Sequence, residues 1–114
     1  MAEWRDVPFW RGYVVSDEGE VARKDTGQIL NTYQQKNGYV YVWLSRGSGR
    51  KAIPLHRVVA MAFHGTDGYE QGLYVDHIDT NRANNRAENL HWVTPKENMN
   101  NPNTLSKRRK NKED

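Results

Sequence analysis

Cysteine is absent from the 114 residues. Disulfides and thiolate zinc sites are therefore excluded, and no redox compartment is implied. No apolar run approaches the roughly 20 residues that span a bilayer. The opening Met1-Ala2-Glu3-Trp4 has no signal-peptide character, so the expected location is the cytoplasm. No internal repeat, cofactor motif or phosphate-binding glycine loop is visible. Apolar residues are scarce too, at 36% hydrophobic and a mean hydropathy of −0.99. Only a small core, and one compact domain, is expected from that. Four Trp and six Tyr offset the shortage, because each aromatic ring buries a large area.

The formal net charge of +3 is modest, and alone it is weak evidence for a nucleic-acid partner. Its distribution says more. Glu3, Asp6, Asp17, Glu18 and Glu20 outweigh Arg5 and Arg11 at the start. Arg46, Arg50, Lys51 and Arg57 follow in the middle, and Lys107, Arg108, Arg109, Lys110 and Lys112 crowd the tail.

Tyr13 to Ser16 and Glu20 to Arg23 read as a short hairpin around an Asp-Glu-Gly turn. The tryptophans beside it are expected to staple that hairpin to the core. Gln28 to Gln34 and Tyr39 to Leu44 read as strands joined by the turn Lys36-Asn37-Gly38, the second being dense in β-formers. Arg46 to Lys51 reads as a flexible, basic, glycine-rich turn leading to Ala52-Ile53-Pro54. A basic sheet edge of that kind suits phosphate or groove contact. Leu55 to Phe63 carries Leu55, Val58, Val59, Ala62 and Phe63 at helical spacing after Pro54. Gly65 to Gly72 reads as a loop.

Val75 to Met99 organises the chain. Val75 to Ile78 is a short extended run, Asn81 to Asn89 a polar loop rich in Asn and Arg, and Leu90 to Val93 an alternating, half-buried strand. Thr94-Pro95-Lys96-Glu97 then has Thr in the N-cap position, Pro first in the helix and Glu three residues after the cap. Asn98 falls on the first turn of the helix so predicted, which Pro102 should end or kink. Asp76, His77 and Asn98 supply an acid, an imidazole and an amide carbonyl. Carboxylate and amide oxygens suit hard cations, and an imidazole titrates near neutral pH and can take a proton from water. Asp76 and His77 are consecutive, so a regular strand would point them to opposite faces.

Asp76-His77-Ile78-Asp79, the run from Asn84 to Thr94 and the run from Pro95 to Met99 resemble the HNH endonucleases. The resemblance is to the phage and intron-homing branch with the ββα-metal, or His-Me finger, fold. LHRVVAMAF resembles the helix that precedes that unit, and the pattern from Glu3-Trp4 to Val21 resembles the N-terminal module called NUMOD4. In that module a turn usually reads SNLGRV, whereas SDEGEV stands here, which argues against phosphate contact at the turn. The resemblance implies an α+β fold: a small antiparallel β-sheet module contacting DNA over 1–54, and a hairpin–helix nuclease unit over 55–101. A basic tail over 102–114 completes the division.

The same resemblance implies that His77 is the general base and that Asp76 and Asn98 ligate one divalent cation, magnesium or manganese rather than zinc. Asn89 becomes the middle asparagine that ties the loop and holds His77, with Asn85 the weaker candidate. Arg46, Arg50, Lys51, Arg57, Arg82, Arg86 and Lys96 are the expected DNA contacts. His56 is expected to be a packed residue, not a catalyst. The activity implied is metal-dependent hydrolysis of DNA phosphodiesters, by nicking or double-strand cleavage, in a phage-derived protein. Cutting both strands with one site per chain would require a homodimer or a larger phage complex. The alternative is a catalytically silent DNA-binding module on the same scaffold.

Overall fold

The structure, a computed structural model, describes residues 2–47 and 49–94. The predicted helix from Pro95, with Lys96 and Asn98, and the basic tail lie outside the described residues.

The chain opens with strand β1 (Trp4–Asp6), which pairs with β2 (Tyr13–Ser16), and β2 pairs with β3 (Val21–Arg23), all antiparallel. In β2 the residues Tyr13 and Val15 point inward, while β1 is exposed throughout. A second antiparallel sheet holds β4 (Thr32–Gln34), β5 (Val40–Arg46) and β6 (Gly49–Pro54) in that order. Alternation along β5 buries Val42 and Leu44 and turns Tyr41, Trp43 and Ser45 outward. Helix α1 (Leu55–Phe63) follows β6 without a loop. Pro54 is its extended N-cap residue, and the His64 N–H closes its end on the Ala60 carbonyl. A single turn of helix, α2 (Asp67–Glu70), leads to the hairpin of β7 (Tyr74–His77) and β8 (Leu90–Val93).

One apolar cluster serves all three sheets. Val7, Tyr13, Val15 and Val21 come from the first, and Val42, Leu44 and Ile53 from the second. Leu55, Val58 and Val59 come from α1, and Ala87 and Leu90 from the last hairpin and its approach. Helix α1 sits between the sheets, touching β1, β2, β5, β6, β7 and β8. Each fully buried Val or Leu contributes about 1.5–3 kcal/mol relative to exposure.

Several expectations change. β1 was not anticipated, because Trp-Arg-Asp shows no alternation. Its placement comes from pairing with β2 and from Arg5, whose guanidinium donates to the Ala62 carbonyl and lies 4.7 Å from the Phe63 ring centroid. The run Gln28–Gln34 yields only Thr32–Gln34 as strand, with Ile29 bridging Ala22. Arg50 and Lys51 stand in β6, not in a flexible turn. Their pairing with Ser45 and Leu44 overrides the weak β-propensity of Gly-Arg-Lys. The loop after α1 contains α2, whose Gly68 packs so closely on the Trp92 indole that a Cβ there would overlap it. Trp4 is exposed, whereas Trp10 packs against the core.

Leu44 is fully buried and central, so Leu44→Ala is expected to cost about 2–5 kcal/mol. The exposed Arg50→Ala should stay within about 0.5 kcal/mol. Urea unfolding followed by tryptophan fluorescence distinguishes the two.

Candidate functional site

The β7–β8 hairpin sets the site. Its register places Asp76 opposite His91 and His77 opposite Leu90. Directly paired residues share a face of an antiparallel ladder. Asp76 and His91 therefore occupy one face, and His77 shares the other with the core residue Leu90. Asp76 and His77 are both buried, at 6% exposure each. Strand alternation alone would keep the two side chains apart. The strand ends at His77, where the Thr80 N–H bonds the His77 carbonyl in a tight turn. Asp76 still lies near enough for its charge to favour protonation of His77.

His77 Nε2 lies 2.8 Å from Asn85 Oδ1. An amide oxygen can only accept, so Nε2 carries the proton and Nδ1 the lone pair. Burial pushes the His77 pKa down; the Asn85 bond and the Asp76 and Asp79 charges oppose this, and Arg82 adds to it. The imidazole is therefore neutral near pH 7. His56 and Tyr39 pack around it, with ring centroids 5.2 Å and 6.1 Å from that of His77. Burial, then the neighbouring His77 and Arg57, lowers the His56 pKa to about 3. Among the described residues, His56 Nδ1 and Asn85 Nδ2 are buried polar atoms without a hydrogen-bond partner.

The loop between the strands is held by side chains in place of a ladder. Asn89 Oδ1 accepts from the Asp79 N–H at 3.0 Å. Its Nδ2 donates to Asp79 Oδ1 and to the Asn84 carbonyl, each at 2.9 Å. The Asn89 carbonyl accepts from the Ile78 N–H, next to His77. Asp79 and Asn81 each cap an N–H two residues on, as Asx turns do. Hydrogen bonds from Asn84, the Asn81 backbone and Asn89 hold the Asp79 carboxyl below its ordinary range.

The N-terminal half braces this loop. The Ala87 N–H donates to the Asp17 carbonyl at 2.8 Å. Gly19, with a φ of +92°, lies against Asn85, and a Cβ there would stand 3.0 Å from the Asn85 carbonyl oxygen. Arg82 donates to the Asn37 carbonyl at 2.6 Å and stacks 4.6 Å from the Tyr39 ring. The acidic turn that departs from the NUMOD4 pattern thus meets the loop beside His77.

Among the residues expected to contact DNA, Arg46 donates to the Phe9 carbonyl at 2.6 Å and stacks 4.1 Å over Trp10. Arg50 lies 4.7 Å over Trp43, which ends an outward ladder of Tyr33, Tyr41 and Trp43. Lys51 and Arg57 are exposed, and Arg86 faces Glu88 at 3.6 Å in solvent. The structure brings Asp76, His77 and Asn89 into one hairpin and sets Arg82 beside it; Arg46 and Arg50 belong to the second sheet. The sequence reading left out Tyr39, Asp79 and His91. His91 is legible once the strands are aligned antiparallel, whereas no local signal marks Tyr39.

Compared with known proteins, residues 54–100 match the family described as HNH endonuclease, and residues 3–45 match the NUMOD4 motif. Residues 54–100 thus belong to the HNH endonuclease family, with a NUMOD4 motif before them. The chain is 43% identical over 100 residues to the DNA endonuclease I-HmuI of Bacillus phage SP01, covering 87% of this chain and 56% of that protein. It is 38% identical over 88 residues to an uncharacterized HNH endonuclease, L245, of Acanthamoeba polyphaga mimivirus, covering 76% of this chain and 26% of that one. The solved structure described as DNA binding and cleavage by the HNH homing endonuclease I-HmuI superimposes with a TM-score of 0.76 at 40% identity. The match covers 95% of this chain and 64% of that one. The chain thus spans little more than half the length of its phage relative. Among the described residues, no helix is long and apolar enough to cross a membrane.

The buried histidines give a pH dependence with a definite sign. Unfolded His56 takes its proton near pH 6.5, but folded His56 takes it only near pH 3. The unfolded state thus binds more protons between those values, and stability falls as pH drops from 6.5 toward 3. His77 acts in the same direction. His56→Phe should flatten the curve of urea midpoint against pH over that window, relative to wild type, and leave it parallel above pH 7.

Proposed function

We propose that this chain is a DNA endonuclease that hydrolyses phosphodiester bonds with His77 as general base. The observation that carries the reading is the buried, neutral His77, oriented by Asn85 in the turn directly after Asp76. A general base works best neutral at the working pH, with one nitrogen held and the other free to take a proton. With Nε2 donating to Asn85, the proton of the attacking water passes to Nδ1. Asn89 keeps the loop from relaxing away from His77 through its three side-chain hydrogen bonds. The cleavage and DNA binding named for I-HmuI support assigning this chemistry to DNA.

HNH endonucleases generally use a divalent metal. The donor set fits one, since Asp76 offers a buried carboxylate beside a second donor residue, His91. Asp76 and Asn98 would hold it. Bound there, a magnesium or manganese ion supplies charge neutralisation at the scissile phosphate and the leaving oxygen. DNA would cross the second sheet, where Arg50 and Lys51 meet phosphates and the aromatic ladder offers an apolar floor. Arg46, Arg57, Arg82, Arg86, Lys96 and the basic tail would extend the phosphate track. Residues 1–54 thus serve mainly contact, 55–101 the chemistry, and 102–114 added affinity. A phage origin and action in the host cytoplasm accord with the phage relatives, and two-strand cleavage would call for pairing of two chains.

Conversion of supercoiled plasmid tests the reading. Metal-dependent nicked or linear product is expected from wild type. His77→Ala should slow it about 10²–10⁴-fold, with DNA affinity nearly unchanged. Equal rates would refute the base assignment, and DNA binding without cleavage in any metal would favour the silent module. Arg50→Ala should weaken DNA binding and reduce the slope of log affinity against log salt by about 1.

A further inference from the structure

We infer that His91 is a nitrogen ligand of the divalent cation held by Asp76, and that it tilts the site toward transition metals and away from magnesium. The inference rests on the reading of Asp76 as a metal ligand and extends it to a motif residue to which the resemblance assigns no role.

The geometry comes from register. Asp76 and His91 sit directly opposite each other on β7 and β8, so their side chains rise from the same face. His91 Nε2 lies 3.1 Å from Asp76 Oδ2. Two donors bound to one cation at about 2.1–2.2 Å and at right angles are about 3.0–3.1 Å apart. The observed hydrogen-bond separation thus also matches the edge of a coordination octahedron. A cation bound to both groups would displace the Nε2 proton, with the half-exposed imidazole turning to aim its lone pair at the ion.

The surroundings favour that exchange. The Asp76 side chain is 7% exposed and the His91 side chain 48%. The carboxylate is thus fixed by its strand, while the imidazole edge opens to solvent, where water or a phosphate oxygen can complete the shell. Among the described residues no group of three or more His, Asp or Glu gathers around a point, so most of the shell must come from elsewhere. An open site with one carboxylate and one imidazole is a poor match for magnesium, which prefers oxygen donors. Manganese, cobalt and nickel accept imidazole readily, with affinity rising in that order.

Manganese binding to the full chain, followed by electron paramagnetic resonance without DNA, tests this independently of cleavage. In wild type, electron spin-echo modulation from a directly bound nitrogen is expected on the manganese signal. His91→Gln should erase it and weaken manganese and cobalt binding about tenfold or more, with magnesium changed less than about threefold. Circular dichroism should show an unchanged fold, because His91 is half exposed. Unaltered nitrogen modulation and manganese affinity in His91→Gln would overturn the ligand role. If Asp76→Asn alone removed metal binding, the nuclease reading would stand and the inference about His91 would fall. Equal loss of magnesium and manganese affinity in His91→Gln would also overturn it, since His91 would then only orient Asp76.

Discussion

Scarcity of apolar side chains is the constraint that shapes this molecule. With 36% hydrophobic residues, three small sheets cannot each own a core. They share one, and α1 is its hub: Val58, Val59 and Ala60 are fully buried. Every sheet must therefore reach this helix, and their mutual arrangement follows. The β7–β8 hairpin docks through Leu90 and Ala87, the second sheet through Val42 and Leu44, the first through Val15 and Val21. Placing Leu90 in that core fixes its cross-strand partner, His77, on the same buried face.

Polar chemistry then takes over where apolar packing is exhausted. The loop between β7 and β8 has almost no regular backbone pairing, so its shape is written in amide side chains. Asn89 locks Asp79 and Asn84, and Asn85 alone among these amides reaches the imidazole. Two asparagines thus divide the work that the sequence assigned to one: Asn89 shapes the loop, and Asn85 touches the ring. Burial of the ring keeps it uncharged, and Asp76 and Asp79 temper that shift.

How legible this was in the sequence depended on the range of the interactions. α1 follows from its own apolar spacing, and its bounds agree with Leu55 to Phe63. β5 follows from its density of β-formers and β8 from alternation, and the HNH and NUMOD4 resemblances follow from ordered residue sets. β1 and β6 were hidden because their residues have no strand pattern of their own, and only a neighbouring strand makes them extended. Asn85 is legible only as the weaker candidate for holding His77, because a loop built from Asx turns has no period to read. Tyr39 reaches the site from the other end of the chain, and nothing local announces that. His91 lay within reach of a register argument, because alternation in Leu-His-Trp-Val gives its face once Asp76 is its partner.

The close approach of Gly19 to Asn85 bears on how such proteins can be recombined. The N-terminal segment matches a motif of its own, NUMOD4, over residues 3–45. Yet its acidic turn props the loop that carries Asn85, and its Tyr39 leans on the imidazole. Exchanging that segment between relatives would therefore also exchange part of the support of the His77 loop. A donor segment that brings a bulkier residue in place of that glycine would press on the Asn85 carbonyl and shift the loop beside His77. Modularity in this chain lies in the outward side of the sheets, not in the whole N-terminal segment.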